Sequence, residues 1–254
     1  LSFPQYFSAS RRSYLAGMMP RSVRRASVVA VPSAFVRSTV VDAFDLDPQQ
    51  VVVVPHGIPD VVVPSAADVA EAHRIVGDRP YVIYPAITHP HKAHTVLVAM
   101  LDHLDGEFDL VLLGGIGAGE ADLAAALSAS PWRHSVHRPG RVADGVRDAL
   151  LAGAAALVFP SEYEGFGAPL VEAMAARVPV VCSDAGAVTE VVGDAAVVVP
   201  TRSADAWADG VRQAIGRHDE LVALGDRRRA EYTVERSGLA LAAAYAAAVE
   251  AWWR

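Results

Sequence analysis

Lysine is almost missing from this sequence: of its 22 basic residues only Lys92 is a lysine, and every other one is arginine. Cysteine is as scarce, and the single Cys182 excludes an internal disulfide and a cysteine-rich zinc module, which fits a reducing compartment. No apolar run approaches the ~20 residues that a membrane-spanning helix needs. Charged residues make up 20% and hydrophobic ones 52%, a balance that excludes a disordered chain and indicates a globular one. Acidic residues are missing from the first forty positions: Arg11, Arg12, Arg21, Arg24, Arg25 and Arg37 all precede Asp42, although the net charge is -7. That block would suit phosphates or an anionic membrane surface, but a solvated helix face is the favoured reading, because a charge block alone specifies little. An initiator methionine and a signal pattern are missing as well, so Leu1 reads as the start of a trimmed or partial polypeptide.

What is present is a regular alternation. Runs of β-branched residues at 27–33, 50–55, 81–86, 108–115, 135–140, 155–161, 178–184 and 195–200 read as strands. Helical patterns lie between them at 91–104, 119–129, 144–153, 168–177 and 204–216. This order predicts an α/β fold with a doubly wound parallel sheet covered on both faces. The proline-rich stretch 56–80 reads as crossover and linker, with a boundary near Asp60, and the alanine-rich segment 235–253 reads as one terminal helix. In open sheets of this kind ligands bind beyond the carboxyl ends of the strands, so the residues that follow each strand are the ones to search.

The segment Ser161–Met174, SEYEGFGAPLVEAM, follows the apolar run AALVFP and places Glu164 and Glu172 on either side of a Gly-Phe-Gly turn. Pro169 suits the first turn of a helix, where its missing N–H costs nothing. The turn therefore delivers a helix N-terminus. Backbone N–H groups from Gly165, Phe166, Gly167, Ala168 and Leu170 would suit a phosphate or diphosphate. Carboxylates accept from vicinal hydroxyls, so a diphosphate flanked by two polyols, as in a nucleoside-diphosphate sugar, matches the layout. The plain alternative is a solvated loop glutamate and a carboxylate that complements the helix dipole. If Glu164 faces only the sugar, Glu164→Gln should leave affinity for the free nucleoside diphosphate almost unchanged.

Lys92, in YPAITHPHKAH, also follows a strand, and a compact ammonium there suits diphosphate oxygens. His89, His91 and His94 crowd around it without a carboxylate or cysteine in step, so a contact of His91 with phosphate or acceptor is favoured over a metal site. Gly114, Gly115, Gly117 and Gly119 resemble a dinucleotide fingerprint. They occupy the second unit of the series, however, and no acidic residue clearly ends the next strand, which disfavours a nicotinamide enzyme. Neither a P-loop lysine nor a serine elbow nor a cysteine–histidine arrangement is present.

With those residues in place, the chain resembles a group 1 (family 4) retaining glycosyltransferase of the GT-B fold. The resemblance runs over nearly its whole length and centres on the E-x(7)-E motif, Glu164 and Glu172. It implies a Rossmann-like donor-binding domain over 61–234, a remnant of the acceptor-side Rossmann-like domain over 1–60, and a terminal helix over 235–254. It implies that Glu172 holds the ribose, Glu164 contacts the transferred sugar, Lys92 neutralises the diphosphate, and the Gly165–Leu170 turn offers N–H groups. Gly114, Val142 and His91 would line the donor site. It further implies transfer of a sugar, with mannose one candidate, to a glycan, lipid-linked or small-molecule acceptor in the cytoplasm or at the inner membrane face. Neither a metal nor a cofactor nor a nucleic acid is expected. Relatives carry an arginine near Ile87 or at His91, so either His91 substitutes or phosphate binding rests more on Lys92. A donor-binding module without turnover, a nucleotide-sugar epimerase and a sugar phosphorylase are the alternatives.

Overall fold

A computed structural model describes residues 8–60, 62–199 and 202–253; Val61 and Pro200, at the edges of two expected segments, lie outside them. The chain divides into two units, one ending at Pro59 and resuming at Tyr232, the other spanning Asp60–Glu231.

In the first unit α1 (Ala9–Arg25) starts where the Ser8 hydroxyl caps Arg11 N, and it ends on Arg24 and Arg25, cations suited to a helix C-terminus. Next come β1 (Val29–Val31), α2 (Ala34–Phe44) and β2 (Val51–Val53), and the two strands pair in parallel with Val29 opposite Val51. Val23, Val31, Leu46 and Val51 form its core.

The second unit begins with α3 (Ala66–Val76), inside the stretch the sequence marks as linker. Its start is a capping box in which the Ser65 hydroxyl accepts from Asp68 N while the Asp68 carboxylate accepts from Ser65 N. Five β-α steps follow: β3 (Tyr81–Pro85) and α4 (His94–Leu104), β4 (Asp109–Leu113) and α5 (Glu120–Ala129), β5 (Val136–Gly140) and α6 (Asp144–Ala152), β6 (Ala156–Phe159) and α7 (Ala168–Ala175), β7 (Val180–Cys182) and α8 (Val188–Val192). β8 (Val197–Val198), α9 (Ala204–Gly216) and α10 (His218–Arg229) close it. Last, α11 (Val234–Trp252) belongs to the first unit, where Ser237 Oγ donates to Pro55 O at 2.7 Å.

The six strands are all parallel in the order β5-β4-β3-β6-β7-β8. Val82, Ile83, Leu110, Val111, Leu157, Val158, Val180 and Val181 are fully buried, as expected of strands covered on both faces. Helices α4, α5 and α9 pack together, as do α3 with α6 and α7 with α8 and α10. The order places the switch point between β3 and β6. The chain steps from β3 outward to β4 and β5, then returns to set Val82 beside Ala156 and Ile83 beside Leu157. Loops leaving the ends of β3 and β6 diverge there and open a crevice.

Candidate functional site

The loop after β3 carries Lys92 at the end of a short 3-10 turn, Pro90–Lys92, and the loop after β6 carries Glu164. These two side chains form an ion pair, both mostly withdrawn from water at 19% and 13% exposure, and the Lys92 ammonium sits 5.7 Å from the centre of the Phe159 ring. The backbones meet as well, since Glu162 N donates to His91 O at 2.7 Å. The sequence treats Lys92 and Glu164 as separate contacts to separate parts of a ligand. The structure joins them, so any diphosphate that approaches Lys92 competes with a carboxylate.

Glu164 is itself held from behind. Ala187 N donates to Glu164 O at 3.0 Å, and Gly186, at φ +63°, lies so close that a Cβ on it would come within 2.4 Å of that oxygen. Gly167 adopts φ +88° ahead of α7, and Pro169 occupies the first turn of that helix. Phe166 and Leu170 are buried, so only their backbones could face a ligand. The N–H of Leu170, which the resemblance counts among the ligand's donors, is already bonded to Gly167 O at 3.0 Å because the turn closes on itself.

Beside α7 lies a cavity of about 510 Å³. Four of the anticipated residues, Gly114, Val142, Pro169 and Glu172, line it. Arg141, Asp144 and Arg147, from the loop after β5 and the start of α6, line it too. From that loop the family resemblance implies only Val142; the position of "RVADGVRD" directly after β5 is the sequence signal for Arg141, Asp144 and Arg147. Burial pushes the Glu172 carboxyl upward, with Arg147 pulling it down and Asp148 adding to the rise. Arg147 is in turn gripped by Asp148 at 2.8 Å. The cavity is thus a half-buried carboxylate opposed by a fixed guanidinium, suited to neutral hydroxyl donors such as those of a ribose.

The three histidines separate. His89 and His91 stack with ring centres 5.8 Å apart, whereas His94 is buried beneath Tyr84 and pushed down to about 4, chiefly by burial. Burial first, and the neighbouring Lys92 second, also lower His91, which keeps it neutral near the physiological range and unlike an arginine in charge. Among the described residues no three His, Cys, Asp or Glu side chains gather as a metal site. Cys182, buried and pushed up to about 12 by burial, is a core thiol.

A family model described as glycosyl transferases group 1 matches residues 66–230. The chain belongs to that family. Among its relatives, O-antigen chain mannosyltransferase B of Escherichia coli is 29% identical over 84% of this chain. The MMP alpha-(1->4)-mannosyltransferase of Mycolicibacterium hassiacum is 32% identical over 84%. This chain spans 58% and 52% of those two relatives' lengths. Of solved structures, Anabaena Alr3699/HepE in complex with UDP-glucose superposes with a TM-score of 0.81 at 20% identity, covering 96% of this chain and 69% of that one. Sucrose-phosphate synthase from Thermosynechococcus elongatus gives 0.79 at 22% identity, covering 95% and 64%. The α/β fold is therefore that of the GT-B glycosyltransferases, Rossmann-like with parallel sheets, and the group 1 family supplies the frame in which the crevice between β3 and β6 is read.

Proposed function

We propose that this chain is the donor-binding part of a retaining glycosyltransferase that moves a hexose from a nucleoside diphosphate to a hydroxyl of a glycan, lipid-linked or small-molecule acceptor. The observation that carries the reading is the meeting of Lys92 and Glu164 at the switch point beside a cavity floored by Glu172. In this reading Glu172 accepts from the ribose hydroxyls, the Gly165–Ala168 backbone and Lys92 take the diphosphate, and Glu164 meets the sugar. Bond breaking between the anomeric carbon and the phosphate oxygen leaves negative charge on the diphosphate, which Lys92 and the start of α7 stabilise. The acceptor oxygen bonds to the same face of the anomeric carbon and its proton passes to the departing phosphate. No step calls for a metal.

Mannose is the sugar we favour, because two relatives above are named mannosyltransferases. We place the reaction in the cytoplasm or at the inner membrane face; the lone buried cysteine supports a reducing compartment, and among the described residues no helix is long and apolar enough to cross a membrane. Thermal melting with a panel of UDP- and GDP-sugars tests the reading. A matching donor at ~100 times its dissociation constant should add ~2.7 kcal/mol of stability, with chelator present or absent. Stabilisation by none of the panel, or only with a divalent metal, would count against it.

A further inference from the structure

Thr88 makes three hydrogen bonds to the glycine-rich turn after β4 and a fourth to Glu120 at the start of α5. Its N–H donates to Gly115 O at 3.2 Å and its carbonyl accepts from Gly119 N at 2.7 Å. Its hydroxyl oxygen accepts from Gly117 N at 2.7 Å, and its O–H donates to Glu120 Oε2 at 2.9 Å. Arg138, on β5, grips the same carboxylate at 2.7 and 2.9 Å. Thr88 itself is buried, 6% exposed.

The glycines of that turn have a matching role. A Cβ at Gly114 would lie 2.4 Å from Ala86 O, one at Gly117 would lie 2.7 Å from Thr88 O, and one at Gly119 would lie 3.1 Å from Pro90 N. The pattern that resembles a dinucleotide fingerprint is thus a seat in which the backbone of another loop rests. That loop, four residues beyond Thr88, carries Lys92. Between them run only His89 and the start of a short 3-10 turn, closed by Lys92 N donating to His89 O at 2.9 Å, and just beyond Lys92 the chain turns at Ala93, in the left-handed region at φ 50°.

We propose that Thr88 is a positioning residue for Lys92, fixing through the glycine-rich seat and the Glu120–Arg138 pair where the ammonium meets the donor's diphosphate. The inference rests on the reading that Lys92 binds that diphosphate. A lysine stem is flexible, so the place of its ammonium depends on where its backbone is clamped, and a misplacement of ~1 Å at a charged contact is enough to be felt. Thr88 itself touches neither the cavity described above nor the ion pair; its effect must pass through Lys92.

The test is a double-mutant cycle read by calorimetry with UDP or GDP, whichever binds, and with the parent nucleoside. Thr88→Val should lower affinity for the diphosphate ~5- to 10-fold, leave the nucleoside unchanged, and add nothing further when Lys92→Ala is also present. Thr88→Ser, which keeps the hydroxyl, should restore wild-type affinity. Equal losses for nucleoside and diphosphate, or an undiminished effect of Thr88→Val in the Lys92→Ala background, would overturn the proposal and leave Thr88 a structural residue. If Lys92→Ala alone spares diphosphate binding, the reading of Lys92 fails and this inference with it; if it weakens binding while Thr88→Val does not, only the role of Thr88 fails. Should Thr88→Val not fold, Glu120→Ala at the outer end of the same chain of contacts carries the same expectation.

Discussion

Lys92 and Glu164 restrain each other, and that mutual hold revises what each substitution should do. An ammonium already paired with a carboxylate must exchange it for phosphate oxygens, so Glu164→Gln frees the lysine. We expect that variant to bind free nucleoside diphosphate several-fold more tightly than wild type, and to bind the nucleotide-sugar less tightly relative to it. Calorimetry with both ligands decides, and a fall in diphosphate affinity would contradict the competition. Glu172 carries a different liability. Its carboxyl is raised because burial penalises the charged form. The folded state therefore holds this proton more tightly than the unfolded chain, and stability is lost as pH rises from the ordinary carboxylate value through the raised one. Glu172→Gln removes that loss. Its melting temperature should exceed that of wild type at about pH 7, and the gain should shrink toward about pH 4. Nucleoside affinity should fall in the same variant by ~1.5 to 3 kcal/mol, the range for a hydrogen bond to a charged group. A variant that lost affinity without gaining stability would mean that its carboxylate is better solvated than the cavity indicates.

Among the elements, the loops after β3 and β6 carry Lys92 and Glu164, and each is seated on a neighbouring loop by glycine. The clearest case is Gly186, at φ +63° with its missing Cβ directed at Glu164 O. Gly186→Ala must force both a strained backbone and a clash with another loop's main chain, so we expect ~2 kcal/mol of destabilisation together with weaker nucleotide-sugar binding, measured by denaturant unfolding and titration. Unchanged stability would show that the loop after β7 yields freely. The sequence discloses the parallel strands and most of their helices because their apolar runs and periodicities are strong. It hides α3, whose Ser65 and Asp68 capping signal is outweighed by surrounding prolines, and it leaves Thr88 unmarked. A threonine's worth as an anchor depends on which backbone lies opposite, and that is a property of the fold. Glu164 and Glu172 were legible from their spacing. Their environments, an ion pair for one and a half-buried cavity for the other, were not, since Arg147 and Lys92 arrive from distant parts of the chain.

Taken whole, the chain couples a well-covered six-stranded unit to a much slighter one. The first unit has two strands of three residues each, and α11 leaves Leu239, Tyr245, Val249 and Trp252 exposed, as is Trp253 just beyond its end. Two-stranded sheets gain little stability of their own. Hydrogen exchange should therefore be markedly faster at the β1 and β2 amides than at those of β3 and β6, and equal protection would contradict the division. The central claim concerns the larger unit, and a crystal structure of the chain with a nucleoside diphosphate tests it most directly. We expect ribose hydroxyls within ~3 Å of the Glu172 carboxylate and diphosphate oxygens within ~3 Å of Lys92 Nζ, now drawn away from Glu164, with the start of α7 facing the phosphates. A diphosphate bound elsewhere, with the Lys92–Glu164 pair intact, would contradict the account.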